Sequence, residues 1–285
     1  MGTGMKSLAI AIVSVSLLAL DAPSFAKDKS SATVVRLQKG FSGVCEGCDL
    51  RGRDFSGAHL SGGRFPNSRF RRADLSEVLA TGAVFSGSDF VGADLSSAVL
   101  ASAEFNDANF KGASLRDVEA SGAQFEDASM SSADLSGAVF VGANMSGARL
   151  VSAILDDAVF TGARLESAKV VEADMIETDF SGATLSDADF SSTTASGAVF
   201  IGAVLTNARF MGATLDGADF SSSRLEGVNF SGALGLDEAI FDGACGNAAT
   251  ILPTSIDFEM CDLGESFEMM GGPEIDDMAH GEAAE

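Results

Sequence analysis

The residues best suited to chemistry are four cysteines, Cys45, Cys48, Cys245 and Cys261, and two histidines, His59 and His280. Two Cys-x-x-Cys pairs would suggest zinc, but only Cys45 and Cys48 have that spacing. A single such pair can act as a redox dithiol when it opens a helix behind a strand, and no strand–helix alternation surrounds this one. Oxidised, the cysteines would be structural, and their spacing alone leaves the pairing open. Neither histidine has the partners from which a Ser–His–Asp or Cys–His set could be assembled. Serines recur because turns favour them, and the glycines follow the same turn spacing without forming a phosphate-binding motif. These residues therefore point to no enzyme: no catalytic residue, no cofactor site and no metal site.

A repeat positions them. From Leu50 to Phe230 every fifth residue is apolar, 37 positions in one register without an insertion. Two residues before each stands a small residue, mostly Ala, as at Ala58, Ala73, Ala83, Ala93 and Ala103, with Arg53 as the charged exception. Gly, Ser or Asp commonly follows two residues after. A period of five fits neither the helical 3.6 nor the alternation of a strand. A fixed short period sustained this long implies a stacked solenoid, each unit turning one large and one small side chain inward. Gly at the end of a unit can take a positive φ without a Cβ clash.

Units such as Ala93-Asp94-Leu95-Ser96-Ser97, Ala133-Asp134-Leu135-Ser136-Gly137 and Ala218-Asp219-Phe220-Ser221-Ser222 resemble the pentapeptide-repeat family, whose motif is A(D/N)Lxx. The resemblance covers about two-thirds of the chain. It implies an all-β fold, a right-handed quadrilateral β-helix with four pentapeptides in each square coil. Roughly nine coils at ~4.8 Å per stacked strand make a rod ~43 Å long. On such a rod the cysteine pairs lie at opposite ends, so Cys45 pairs with Cys48 and Cys245 with Cys261, each bond stapling a cap. Closing a loop of the Cys245–Cys261 size is worth ~3 kcal/mol in the chain-entropy account.

The register checks itself where the two inward sizes exchange. Val78 stands with Ala80, and Val118 with Ala120, on the same face two coils apart. Each exchange roughly conserves volume. Thr193 with Ala195 compensates less well, which predicts a looser coil there.

In chain order, residues 1–26 read as a secretory signal peptide: Lys6, an apolar run from Leu8 to Leu20, and Ser24-Phe25-Ala26 as the cleavage site. The run is too short to span a bilayer, so the mature chain, starting at Lys27, carries no membrane span and is periplasmic or secreted. Residues 27–47 form a basic leader and cap, 48–233 the repeat β-helix, 234–262 a C-terminal cap and 263–285 an acidic disordered tail. From Lys27 to Arg72 ten Lys/Arg face four Asp/Glu, whereas from Gly232 onward there are thirteen Asp/Glu and no Lys or Arg. The whole chain carries a formal charge of −23, which argues against nucleic acid as a partner.

Stacking places residues twenty apart in columns. One holds Asp54, Asp74, Asp94, Ser114, Asp134, Ile154 and Asp174, where calcium could bridge neighbouring carboxylates. The next holds Val99, Val139, Val159 and Val199, adjoined by Val141 and Ile201, an apolar stripe at outward positions. The chain therefore reads as a non-catalytic exported structural or protein-interaction scaffold of the pentapeptide-repeat type, whose partner is an unidentified protein or a second copy of itself. Two alternatives remain open. One is an acidic DNA-mimicking, topoisomerase-binding protein, a role the family resemblance raises and the export signal opposes. The other is a calcium- or envelope-binding surface protein, which the lack of Trp and Tyr leaves without aromatic support.

Overall fold

The computed structural model describes residues 43–252, 256 and 259–261. The expected signal peptide, the leader up to residue 42 and the expected acidic tail lie outside them. The chain divides into two units, Met1–Val34 and Val35–Glu285, and all the described residues belong to the second.

Each five-residue unit contributes one bridge residue, one turn and two inward side chains. Bridge residues pair in parallel with the residue twenty positions on, from Val44 with Arg64 to Thr214 with Leu234. Twenty residues thus complete one coil, and four sides close it. Backbone groups are satisfied between coils: the Phe70 N–H donates to the Asp89 carbonyl at 2.7 Å, and the Asp89 N–H donates to the Ser68 carbonyl at 2.9 Å. Within a unit the small residue closes the turn, as when the Ala58 N–H donates to the Phe55 carbonyl at 2.9 Å. The turn requires a left-handed residue between them. All 38 such positions, at five-residue steps from Gly47 to Gly232, have φ between 53° and 71°, and eighteen of them are not glycine. That conformation is free for Gly and strained for a residue with a Cβ.

The core is a stack of rings. Phe65, Phe85, Phe105 and Phe125 lie over one another with centroids 4.9–5.2 Å apart, and Phe70, Phe90 and Phe110 form a second ladder at 4.8–4.9 Å. In the later coils one ladder moves to a new column, Phe140, Phe160, Phe180, Phe200 and Phe220, while the second resumes in its own column at Phe190, Phe210 and Phe230 after Met130, Leu150 and Val170. The exchanged residues Val78, Ala80, Val118 and Ala120 are all buried. Around Thr193 the coil keeps its ladder: the Ala195 N–H donates to the Thr214 carbonyl at 2.8 Å, and the Thr193 hydroxyl donates to the Phe190 carbonyl at 2.8 Å. The hydroxyl takes the Phe190 carbonyl, the kind of acceptor that the small residue's N–H uses in neighbouring turns such as Ala188 to Leu185, so the ladder between coils is kept while the bond closing this turn is made by a side chain.

Coil pairing continues beyond Ala233 with slips. Asp219 pairs with Ile240, Arg224 with Cys245 and Asn229 with Ile251, and Phe241 stacks on Phe220 at 5.2 Å. Leu234-Gly235-Leu236 accommodates one inserted residue, and Leu236 turns its side chain inward, 5 % exposed. Strand β1 (Cys245–Gly246) pairs in parallel with β2 (Glu259–Met260).

Candidate interaction surface

Cys45 is bonded to Cys48, with Cα atoms 5.7 Å apart, and Cys245 to Cys261, with Cα atoms 4.7 Å apart. The first bond lies on the earliest described coil and the second ties β1 to the residue after β2. His59 is exposed on an outward face, and His280 lies outside the described residues. Among the described residues no group of three His, Cys, Asp or Glu is placed to hold a metal ion.

The Asp column has an occupation of its own. The Oδ1 atoms of Asp54, Asp74, Asp94 and Asp134 each accept from the backbone N–H and the hydroxyl of the Ser two residues on, at 2.6–3.1 Å. A carboxylate folded onto its own turn is a backbone cap. For Asp134, burial pushes the carboxyl up, but the Ser136 hydroxyl and N–H together with Arg116 outweigh it and hold the group below its ordinary value. Asp179 is held low in the same way, against burial, by Ser181 and the Thr161 hydroxyl.

The stripe is where the columns predict it, and it is interrupted. His59, Leu79, Val99, Glu119, Val139, Val159, Asp179, Val199 and Asp219 pair in sequence up one side. Only Val139 and Val159 are consecutive valines; Glu119 and Asp179 separate Val99 and Val199 from them. The four valines are half-buried, while Val141 and Ile201, on the corner that follows this side, are 41 % and 42 % exposed.

That corner is distinctive in charge. Its turn positions are residues 61–62 and every twentieth pair after them to 221–222. They hold only Ser, Gly, Thr, Ala, Val and Ile, without one charged side chain in nine coils. The two flanking corners carry six carboxylates each over the same length. At the end of one of them Glu226 is 8 % exposed; Arg224 binds its Oε1 at 2.5 Å, while Oε2 is buried with no partner among the described residues. Burial pushes Glu226 up, and the Arg224 guanidinium overrides it and holds the carboxyl below its usual range. Columns set twenty apart are legible before folding; the corner pairs would have been found by writing the sequence out in rows of twenty.

A family model for pentapeptide repeats matches residues 44–78, 81–117, 121–157, 158–194 and 196–232. The chain belongs to the pentapeptide-repeat family, whose right-handed quadrilateral β-helix accounts for the twenty-residue coil. No curated protein matches it in sequence. Among solved structures, it is similar to HetL, a pentapeptide repeat protein involved in heterocyst differentiation regulation from the cyanobacterium Nostoc: 24 % identity over 73 % of this chain and 92 % of that one, with a TM-score of 0.31. A trypsin-treated form of QnrB1, a plasmid-mediated fluoroquinolone resistance protein, is 20 % identical over 70 % of this chain and 92 % of that one, with a TM-score of 0.46. A pentapeptide repeat protein of the Arabidopsis thaliana thylakoid lumen is 26 % identical over 37 % of this chain and 70 % of that one, with a TM-score of 0.26.

Proposed function

We propose that this pentapeptide-repeat protein is an exported, non-catalytic scaffold that works by binding another protein chain along one side of its β-helix. The observation that carries this reading is the half-exposed valine column beside an uncharged corner, on a chain whose formal charge is −23. Elsewhere on the coils many polar side chains cap turns or pair with each other, as Asp74 with Ser76 and Arg116 with Asp134 do. On this strip the valines, Val141 and Ile201 offer apolar surface, interrupted by Glu119 and Asp179, and the corner beside them carries no charge. Export is supported by residues 1–26 and by the two cysteine pairs, which suit an oxidising compartment. The local pairings suit caps at the two ends of the stack, where open strand edges invite association. Among the described residues no helix is long and apolar enough to cross a membrane.

The test compares the mature parent with Val139→Glu combined with Val159→Lys, both purified from the exported fraction and N-terminally sequenced. The variant is expected to keep its melting temperature and lose association, as read by sedimentation and by partner capture. Equal association by both proteins would refute the reading, and a mature chain that retains residues 1–26 would refute export.

A further inference from the structure

We propose that the acidic C-terminal segment of this chain, residues 262–285, binds along the side of the β-helix opposite the valine column. That side is the column that pairs from Asp49 to Asn229, with the corner at residues 51–52 through 231–232. It faces away from the uncharged strip, so occupation of one leaves the other open.

The side stands out by its charge. Its column and corner carry eight Arg/Lys and four Asp/Glu at outward positions, whereas each of the other three sides, with the corner that follows it, carries more carboxylates than cations. The four carboxylates are already engaged. Asp49 is bonded to Arg51 at 2.6 Å, Asp89 pairs with Arg71, Asp189 lies 3.6 Å from Arg209, and Glu172 accepts from the Ser152 hydroxyl at 3.4 Å. Arg72, Lys111, Arg149 and Lys169 are exposed and have no ion pair among the described residues. Arg149 and Lys169 are neighbours in the column, like charges facing each other on adjacent coils. Such a pair costs stability until an anion lies over it.

Apolar surface adjoins these cations. Val151 and Val171 follow Arg149 and Lys169 two residues on and are half-buried, and Met211 on the same corner is 45 % exposed. Residues 262–285 match both features. They hold eight carboxylates and no Lys or Arg, with Phe267, Met269, Met270, Ile275 and Met278 set among them. Complementary charge selects this side over the three acidic ones. Methionine is flexible and polarizable, and it packs on an irregular apolar surface.

The segment also starts in reach. Cys261 is bonded to Cys245, which pairs with Arg224 at the end of the stack, one side before the cationic one. The corner to be crossed at that level holds Thr206, Asn207 and Gly227, and its Glu226 is 8 % exposed and bonded to Arg224. A side is at most ~16 Å wide, and the three to four coils from Asn229 down to Lys169 and Arg149 span ~14–19 Å. The 24 residues from Asp262 to Glu285 extend to ~80 Å. Tethering gives the segment a high effective concentration, so contacts too weak to hold a separate peptide suffice.

The test uses the full chain with its disulfides intact and a zero-length carbodiimide, which joins a lysine amine to a carboxylate. Lys111 and Lys169 are the only lysines among the described residues, so each bond reports a defined place. Peptide mapping is expected to join Lys169 to carboxylates between Asp262 and Glu285, with a yield independent of protein concentration. Arg149→Gln is expected to lower that yield by at least ~5-fold. Arg64→Gln, at another exposed arginine without an ion pair but on a different side, is expected to leave it unchanged. Both variants should melt like the parent, because both side chains point outward. A spin label at Met278→Cys is expected to be slowed in the parent and released at ~1 M salt, where charges are screened within ~3 Å. Bonds from the segment to Lys27, Lys29 or Lys39 in place of Lys169 would overturn the side named. A yield that rises with protein concentration would overturn the intrachain occupant. A label equally mobile at low and high salt, or equal yields in Arg149→Gln and the parent, would overturn the electrostatic contact.

Discussion

Two corners of the same coil solve the same backbone problem with opposite chemistry. At the corner following Phe125, Glu126 and Asp127 make the turn; at the corner following Phe140, Val141 and Gly142 do. Both turns put the second residue in the left-handed region, Asp127 at φ 56° and Gly142 at 63°. Both close over a fully buried ring. The inward half of the repeat therefore does not decide what the outward half carries. The left-handed turn position is held by Gly, Ser, Asn, Asp, Glu and Arg, at a cost in strain for all but Gly, so the fold does not dictate the charge of each edge.

The largest effect comes from the half the two corners share. Phe125→Asp and Phe140→Asp should be equally damaging. Losing the ring alone costs ~3–5 kcal/mol, and the buried carboxylate adds a desolvation cost with no partner to offset it. Both variants are expected to lose several coils together, seen as a fall in β-sheet circular dichroism and in melting temperature. A wide difference between them would mean that the corners are coupled to the core after all.

A smaller effect separates the corners. At Gly142 an added Cβ meets nothing within 4 Å, whereas at Gly147 it runs into the Asp127 carboxylate of the coil below. Gly142→Ala should therefore pay only the left-handed strain, ~1–2 kcal/mol. Gly147→Ala should cost more until Asp127 moves, and Gly147→Ala in an Asp127→Ser background should fall back to the Gly142→Ala value. The reverse change, Asp127→Gly, should stabilise by up to ~1 kcal/mol, since it relieves a strained non-glycine. Chemical denaturation of the five proteins checks the order; equal losses at Gly142 and Gly147 would remove the distinction.

Much of this was written in the sequence. The five-residue register fixes which side chains face in, because one slipped residue would bury Asp or Ser in place of Phe, and none slips before Leu234. The cysteine pairing followed from the ends at which the residues stand. Other features were less legible for physical reasons. The role of the Asp column depends on a hydroxyl two residues on, so the Asp-x-Ser spacing at Asp54, Asp74, Asp94 and Asp134 was the available signal, and a column of carboxylates hid it. Continuation of the coils past Ala233 was masked because a coil can absorb one extra residue while keeping its parallel pairing, as Asp219 with Ile240 does. The Thr193 coil was judged by volume, whereas a hydroxyl is accommodated by the carbonyl it reaches.

The smallest effect concerns acid, and it sets capped carboxylates against those projecting from the corners. Asp134 and Asp179 have carboxyl groups held below the ordinary Asp value of 3.8 by the hydroxyls and N–H groups they accept from, with Arg116 also acting on Asp134. A group whose folded value is depressed contributes stability that is fully present above its unfolded value and is lost as pH falls through the folded one. These two aspartates therefore stabilise the coils at neutral pH and stop doing so in the window below about pH 4. Titrating the acidic corners works the other way, because neutralising a crowded negative edge relieves self-repulsion. The parent's own pH profile mixes the two, so the informative quantity is the difference between proteins. Asp134→Asn and Asp179→Asn keep an oxygen to accept the turn N–H and remove the charge. Each is expected to melt lower than the parent at pH 7, by a few degrees at most, and to converge with it in the acid window. Asp157→Asn, at an exposed position on an acidic corner, should shift melting far less at either pH. A gap between Asp134→Asn and the parent that persisted unchanged into acid would show that the carboxylate stabilises by shape alone, and the line between capped and corner carboxylates would fall.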